Sequence, residues 1–370
     1  MSSYTSSSLT LRSLLKTAAS RLRLGAPAPR VSGLTPPAKA LFSAVAAERH
    51  RVLLIVPADA DVETMTTDAR FFFSALEGLS QQDVERVVLP FPSHEVDPYR
   101  GLAPHFDIAS ARARALRGAA DPAVKLIVAS AAALLPRVSA PERLSGVSLS
   151  LVPGHEISPT DLADVLASAG YTRQDPVDQH GEFCIRGGVV DFFPAGAHEP
   201  IRLEFIGDTI ESIRSYDPAT QRSTAALDQA AIAPLQELVG DVETADRSST
   251  AFDHFWAHGR PMVIVSEPDD VRAHGEKTSQ QIQRGYDEAI AKGGRVSPPS
   301  DLVLEWDDVS PWLEEATILE TLSVEDALHI GCQPALEFSG RVHGRGSPAV
   351  HRRRRDDHPA HPPACRHAGD

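Results

Sequence analysis

Residues 33–40 have the spacing of a phosphate-binding loop, GxxxxGK[ST], and their sequence is GLTPPAKA. Such a loop holds a nucleotide phosphate with backbone N–H groups, a lysine ammonium and a hydroxyl that ligates magnesium. Gly33 and Lys39 match the pattern, whereas Ala38 and Ala40 replace the second glycine and the hydroxyl residue. The two prolines before Ala38 also remove two N–H donors. We therefore expect a degenerate loop that binds no nucleotide; the alternative is an accidental spacing, and both interpretations predict no ATP hydrolysis.

A second candidate site lies in the alternating stretch from His180 to Ser223. Apolar residues of one parity predict a core-facing side, and they are Phe183, Ile185, Ile201, Leu203 and Phe205. The opposite parity carries Arg186, Arg202, Glu204 and Ile206. Guanidinium groups beside an apolar side chain are typical of a surface that docks another protein. The alternative is a cross-strand ion pair of the two arginines with Glu204 that has no further role.

The elements that must position these residues follow an alternating order. Helices are expected at 36–48, 61–76 and 107–117, and strands at 52–56, 84–89 and 124–129, which together predict a parallel sheet covered on both faces. Ser158, with Pro159 next to it, is a helix start, and that helix leads into the alternating stretch. Later strands are expected at 262–265, 302–306 and 318–322, around a long polar helix at 268–292.

Composition excludes several classes of function. The formal net charge is −14, and the acidity lies in residues 1–340, because residues 341–370 contain seven Arg and three Asp. An acidic body argues against broad contact with duplex DNA, which needs clustered cations. Cys184, Cys332 and Cys365 form no CxxC pair, so no metal site is expected. No apolar run is long enough to span a membrane.

The alternating stretch resembles one protein family. Its segments are RGGVVDFFP from Arg186, EPIRLEF from Glu199, GDTIESIR from Gly207 and DPATQRS from Asp217. They are similar to the UvrB-homologous module of the bacterial transcription-repair coupling factors, the Mfd family. UvrB shares much of this pattern but keeps an intact phosphate loop. The altered loop therefore favours the Mfd family.

The resemblance implies that this module binds UvrA. The family's contacts are an arginine before the double glycine, an arginine in the following strand and an aromatic residue four positions later. These correspond to Arg186, Arg202 and Ile206. Ile206 departs from the usual Phe, which predicts weaker binding or a contact that shifts to Phe205.

The resemblance also implies what whole members of the family do. They are cytoplasmic, ATP- and magnesium-dependent translocases that release stalled RNA polymerase and recruit nucleotide excision repair. We expect no part of the given sequence to correspond to their motor and polymerase-binding domains. We therefore expect no cofactor here, contact with RNA polymerase and duplex DNA only through domains that are absent, and no membrane contact. The alternatives are a UvrB-like excision-repair component and an inert truncation product.

The expected architecture is α/β, with a degenerate P-loop helicase-like parallel sheet and an inserted α+β antiparallel-sheet docking domain. Its five parts are residues 1–29, helical or flexible; 30–150, the α/β domain; 151–225, the UvrA-binding-like domain; 226–342, the second part of the α/β module; and 343–370. The last part is rich in His, Arg and Pro and predicts a disordered tail, which a frameshift in the coding sequence would explain.

Overall fold

The described residues form a seven-stranded parallel sheet, a six-stranded and mostly antiparallel second sheet, and a two-stranded antiparallel sheet. The structure is a computed structural model, and it describes Ser13 and residues 30–240, 245–322, 327–330 and 332. The predictions for the tail at 343–370, and for residues 1–29 apart from Ser13, lie outside the described residues. No helix within the described ranges is both long enough and apolar enough to cross a membrane.

The helices and strands follow one another in an order close to the expected one. The helices are α1 (Pro36–Ala47), α2 (Asp59–Glu77), α3 (Gln81–Val87), α4 (Phe106–Gly118), α5 (Pro141–Gly146), α6 (Pro159–Ser168), α7 (Ala251–Trp256), α8 (Pro268–Ala291), α9 (Pro299–Leu302) and α10 (Trp306–Val309). The strands are β1 (Arg30–Ser32), β2 (Val52–Val56), β3 (Val88–Phe91), β4 (Leu126–Ser130), β5 (Leu149–Leu151), β6 (Thr172–Arg173), β7 (Glu182–Arg186), β8 (Val189–Phe192), β9 (Ile201–Ile206), β10 (Thr209–Asp217), β11 (Arg222–Ala226), β12 (Ala230–Ile232), β13 (Met262–Ser266), β14 (Thr317–Leu319) and β15 (Leu328–His329).

The parallel sheet has seven strands in the order β15-β1-β14-β13-β2-β4-β3. Strand β2 is buried along its whole length, and its alternate side chains enter two different cores. Leu53 and Ile55 pack towards α4, α7 and α8, whereas Leu54 and Val56 pack towards α1 and α2. Because helices cover both faces, every strand position can be apolar. The α/β class is therefore confirmed.

The second sheet has six strands in the order β11-β10-β9-β8-β7-β6, and only its edge pair β6–β7 is parallel. Helix α6 lays Leu162 and Leu166 on one face of this sheet, in the core that contains Val190 and Leu203. The Ser158 hydroxyl accepts from the Asp161 N–H at 3.0 Å and caps α6. The mixed helix-and-sheet module was expected, and its core lies on the predicted parity.

The second sheet is inserted between β4 and β13 of the first. Strands β5 and β12 pair antiparallel where the chain enters and leaves the insertion. Beyond β12, the fully buried Arg112 guanidinium of α4 donates to both carboxylate oxygens of Glu237, at 2.6 and 3.1 Å. Burial opposes ionisation of Glu237, yet Arg112 and His94 lower its pKa to about 2. This ion pair ties the chain leaving the insertion to the first α/β unit.

Two predicted strands were wrong. Residues 84–87 belong to α3, because the Ser80 hydroxyl accepts from the Asp83 N–H and starts a helix there; the strand begins only at Val88. Residues 302–306 join the short helices α9 and α10, and only Val303 makes a bridge, to Pro136. Short apolar runs do not distinguish strand from helix, which explains both errors.

Candidate docking site

A tight hairpin sets the geometry of the second sheet's outward face. Gly187, with φ of +60°, turns β7 into β8, so that Arg186 pairs with Val189 and Cys184 with Asp191. A side chain at Gly188 would lie 3.1 Å from the Phe205 carbonyl oxygen, so the next strand leaves little room there. In the adjoining ladder Asp191 pairs with Arg202. The double glycine thus places one carboxylate between two arginines.

The Asp191 carboxylate is fully buried and accepts from both arginines. Its Oδ2 takes an N–H of Arg186 at 2.6 Å, and its two oxygens take Nε and an Nη of Arg202 at 2.8 and 2.9 Å. These hydrogen bonds raise the pKa of both guanidinium groups. The two arginines therefore pair with Asp191 and not, as the alternative interpretation of the sequence had it, with Glu204. Glu204 accepts from Ser212 and lies 3.9 Å from Arg214.

The two arginines differ in exposure. The Arg202 side chain is only 17% exposed; its guanidinium lies 4.5 Å from the centre of the Tyr216 ring, and it also donates to the Gln221 carbonyl at 3.2 Å. The Arg186 side chain is 43% exposed, and its second Nη lies 3.4 Å from the half-exposed Asp175. Arg186 therefore reaches solvent, whereas Arg202 is largely buried beside Asp191 and against the Tyr216 ring.

Ile206 lies at the end of the same strand as Arg202 and on the same parity. It is 65% exposed, next to the Gly207–Asp208 turn into β10. Four residues of extended strand separate it from Arg202 by about 13 Å. Phe205 faces the other side, at the edge of the core. The outward face thus combines a cationic region and an exposed aliphatic side chain within one strand.

The outward parity is less exposed than the sequence pattern suggests. Cys184 is buried, and it packs with Val177 and Phe193 in a small second cluster. Burial raises the pKa of the Cys184 thiol, which disfavours a reactive thiolate. Tyr216 is fully buried beneath Arg202. The open part of the face therefore runs from Arg186 past Glu204 to Ile206.

The residues predicted to form a degenerate phosphate loop lie at the start of α1, after strand β1. Helix α1 begins at Pro36, so Ala38, Lys39 and Ala40 are already helical, and the Lys39 N–H donates to the Thr35 carbonyl at 3.0 Å. The backbone therefore forms no open cradle around Lys39. A Cβ at Gly33 would lie 2.4 Å from the His329 ring, so strand β15 covers the loop's first residue.

The Lys39 ammonium is hydrogen-bonded to other side chains of the protein. Its side chain is 3% exposed, and Nζ donates to the Ser266 hydroxyl at 3.0 Å and to the Glu267 carboxylate. Glu267 has φ of +55°, a conformation uncommon for residues with a side chain, and it also accepts from the Thr321 N–H. Burial opposes ionisation of Glu267, but Lys39 and Thr321 outweigh it and lower its pKa.

Sequence reasoning missed three residues of these sites. Asp191 was quoted only as part of a motif, although an isolated carboxylate between Val190 and Phe192 is a signal that could have found it. The stacking of Tyr216 under Arg202 depends on a register shift in β10. Glu267 lies 228 positions from Lys39, and nothing in the sequence links them. Within the described residues, no group of His, Cys, Asp and Glu side chains could hold a metal ion.

Comparison with known proteins finds sequence similarity to one family. Residues 149–238, which contain the second sheet, match the family model of the UvrB interaction domain. The chain is 30% identical over 255 residues to a transcription-repair-coupling factor of Haemophilus influenzae, which covers 69% of this chain and 20% of that protein. It is 31% identical over 210 residues to that of Escherichia coli K12, covering 56% and 17%, and 28% identical over 224 residues to that of Bacillus subtilis, covering 60% and 18%.

The chain thus spans about a fifth of the length of these curated relatives. The inserted module is also matched by a family model of its own. The chain is therefore a homologue of part of the transcription-repair-coupling factors, and its residues 149–238 match the UvrB interaction domain.

Proposed function

We propose that the outward face of the second sheet docks a UvrA protein, and that the chain acts in transcription-coupled nucleotide excision repair by recruiting it. The observation that carries this proposal is the pair of guanidinium groups held on the buried Asp191, with the exposed Ile206 on the same strand. A cation with an adjoining aliphatic contact is a combination that protein interfaces favour. The matched UvrB interaction domain and the similarity to transcription-repair-coupling factors also support this proposal.

We also propose that this chain neither binds nor hydrolyses ATP. The phosphate-loop lysine is neutralised by Glu267, two prolines occupy the place where N–H donors are needed, and Ala40 offers no oxygen to magnesium. On this proposal, the regions of the relatives that this chain does not match carry out ATP-driven translocation, duplex DNA binding and release of RNA polymerase.

The docking proposal is tested by measuring binding of the purified chain to immobilised UvrA from the same genome. Ile206→Asp changes an exposed side chain, so the fold is expected to persist. Arg186→Glu brings a carboxylate close to the buried Asp191, so its folding is checked by thermal unfolding, and Asp191 keeps its two hydrogen bonds from Arg202. We expect Arg186→Glu to weaken binding by about 100-fold, since charge reversal at a close ion pair costs several kcal/mol. Ile206→Phe should strengthen binding a few-fold by adding a ring at an exposed contact.

Two matched controls separate docking from general surface effects. Arg173→Glu reverses an exposed arginine of the same sheet whose register partner is the core-facing Phe183. Leu102→Asp adds a charge at a side chain that is 64% exposed, close to the value for Ile206, but lies in the first α/β unit. Both controls should bind UvrA like the unchanged chain. Equal binding by Arg186→Glu and Arg173→Glu would end the docking assignment.

A further inference from the structure

Arg114 of helix α4 carries a half-buried guanidinium that has no partner. Its Nε is fully buried, and the side chain forms no hydrogen bond or ion pair within the part of the chain that the structure describes. A Cβ at Gly196, in the loop between β8 and β9, would lie 2.4 Å from its Nη1, so the inserted module covers the group from one side. A charge that is taken out of water without a partner costs free energy, and a bound anion would remove that cost.

Two further arginines lie near Arg114. Arg117 follows it on α4 at a spacing that makes the two neighbours on the helix surface, and Arg117 is exposed. Arg70 of α2 donates Nε and Nη2 to the carbonyl of Val88 in the edge strand β3, at 3.1 and 3.0 Å. Burial lowers the pKa of Arg114 and of Arg70, and the charges of Arg117 and Arg114, respectively, lower them further. The three guanidinium groups thus form an arginine cluster where α2 and α4 flank β3.

One carboxylate, that of Glu85 on α3, faces the arginine cluster. Its negative charge opposes the lowered pKa of both Arg70 and Arg114. Glu85 accepts from the Gln81 amide at 2.6 Å, and it forms no ion pair with Arg70, Arg114 or Arg117 in the described ranges. Three guanidinium groups against one carboxylate leave a surplus of positive charge. The surplus lies next to the unused donors of Arg114.

We propose that the arginine cluster binds a phosphate dianion, either free or as the end of a small phosphate monoester, at the seam between α4 and the inserted module. A phosphate presents acceptor oxygens in several directions, so it can accept from guanidinium groups that approach from two helices. A carboxylate has two oxygens in one plane and a single charge, and fits this arrangement less well. A nucleic-acid backbone is disfavoured, because the acidity of the chain lies in residues 1–340, which surround the site.

The first test compares thermal unfolding of the whole chain in sodium phosphate and in sodium chloride of equal ionic strength. We expect phosphate at about 10 mM to raise the unfolding temperature by about 3 °C, and calorimetry to give a dissociation constant of about 1 mM. Glycerol phosphate is the monoester probe, and whichever of the two phosphates binds more tightly identifies the source of the dianion. Sodium acetate and a polyglutamate peptide are the carboxylate probes. Stabilisation by either of them as large as that by phosphate, or none by phosphate, would overturn the proposal.

Arg114→Met distinguishes a ligand site from an arginine that only supports the fold. Without phosphate, we expect this variant to unfold at the same temperature as the unchanged chain or at a higher one, because it removes a charge that has no partner. We expect its affinity for inorganic phosphate to fall by about tenfold or more. A lower unfolding temperature without phosphate, or an unchanged affinity, would overturn the inference.

A second variant and a matched control keep the test decisive. Arg117→Met changes an exposed side chain, so the fold should persist, and we expect it to weaken phosphate binding by about fivefold. Arg173→Met removes an exposed arginine of β6 and should bind phosphate like the unchanged chain. Equal phosphate affinity of Arg117→Met and Arg173→Met would show that the arginine cluster does not hold the anion.

Discussion

The start of α1 and the outward face of the second sheet both pair cations with carboxylates of the same chain, but the cations differ in accessibility. Lys39 is 3% exposed and donates to Glu267, so its ammonium is enclosed and its charge is balanced. Arg186 and Arg202 share the buried Asp191, and Arg186 is 43% exposed with Asp175 3.4 Å from it, so the Arg186 guanidinium is open to solvent. The same kind of ion pair therefore encloses Lys39 and leaves Arg186 accessible.

Accessibility explains the difference. An enclosed cation with a carboxylate beside it gains little from an outside ligand, because any new anion must displace one already in place. The guanidinium of Arg186 has an edge open to solvent, so a further anion can approach it although Asp191 and Asp175 lie beside it. The predicted degenerate phosphate loop and the proposed docking face thus differ in how far their cations reach solvent.

The largest expected effect concerns the enclosed pair of Lys39 and Glu267. Glu267→Gln leaves the Lys39 ammonium buried without a counter-charge, and we expect it to lower the free energy of unfolding by about 3 kcal/mol. Adding Lys39→Met should recover most of that loss, because an apolar side chain of similar length needs no partner. Urea unfolding of the single and double variants measures both changes.

A surface pair supplies the control for this prediction. Arg260 and Glu315 lie 2.7 Å apart, but their side chains are 48% and 75% exposed. Glu315→Gln should change the free energy of unfolding by no more than about 0.5 kcal/mol. If Glu267→Gln lowered the free energy of unfolding as little as Glu315→Gln, the Lys39 ammonium would not depend on Glu267 for its counter-charge. The contrast between Lys39 and the exposed Arg186 would then disappear.

A smaller effect separates the two arginines beside Asp191. Arg202→Met should lower the free energy of unfolding by about 2 kcal/mol, since it removes two hydrogen bonds from the buried Asp191. Arg186→Met should lower it by about 0.5 kcal/mol, because its side chain is half exposed and Asp191 keeps Arg202. Thermal or urea unfolding of the two variants tests this order, and a larger loss at Arg186 would reverse their assigned roles.

The sequence predicted the parallel sheet, the inserted module and the sheet's core-facing parity, because alternating apolar residues and helix caps are local signals. It also placed Arg186 and Arg202 on one face, since strand parity is fixed by the backbone. It did not predict that Asp191 lies between them or that Glu267 neutralises Lys39. Both depend on which strands become neighbours: β8 beside β9, and β13 near the start of α1. Such contacts arise from the topology, which no single segment encodes.

The smallest expected effect comes from restoring the phosphate-loop residues at positions 38 and 40, and it tests whether the Lys39–Glu267 ion pair prevents ATP binding. Ala38→Gly with Ala40→Ser restores the residue types of GxxxxGK[ST], and a loop spoiled only by those two residues should then bind ATP. We expect no ATP binding by calorimetry and no phosphate release, because Lys39 remains paired with Glu267 and its N–H remains bonded to Thr35. Gly33 also remains covered by His329.

Adding Glu267→Gln to those two changes frees the Lys39 ammonium but leaves helix α1 starting at Pro36. We therefore expect, at most, weak binding of inorganic phosphate or ATP in the millimolar range, without hydrolysis, because a single buried cation replaces a cradle of N–H donors poorly. ATP hydrolysis by the first double variant would mean that two side chains alone separate this loop from a working one. In that case the Lys39–Glu267 ion pair would not be what prevents ATP from binding to this loop.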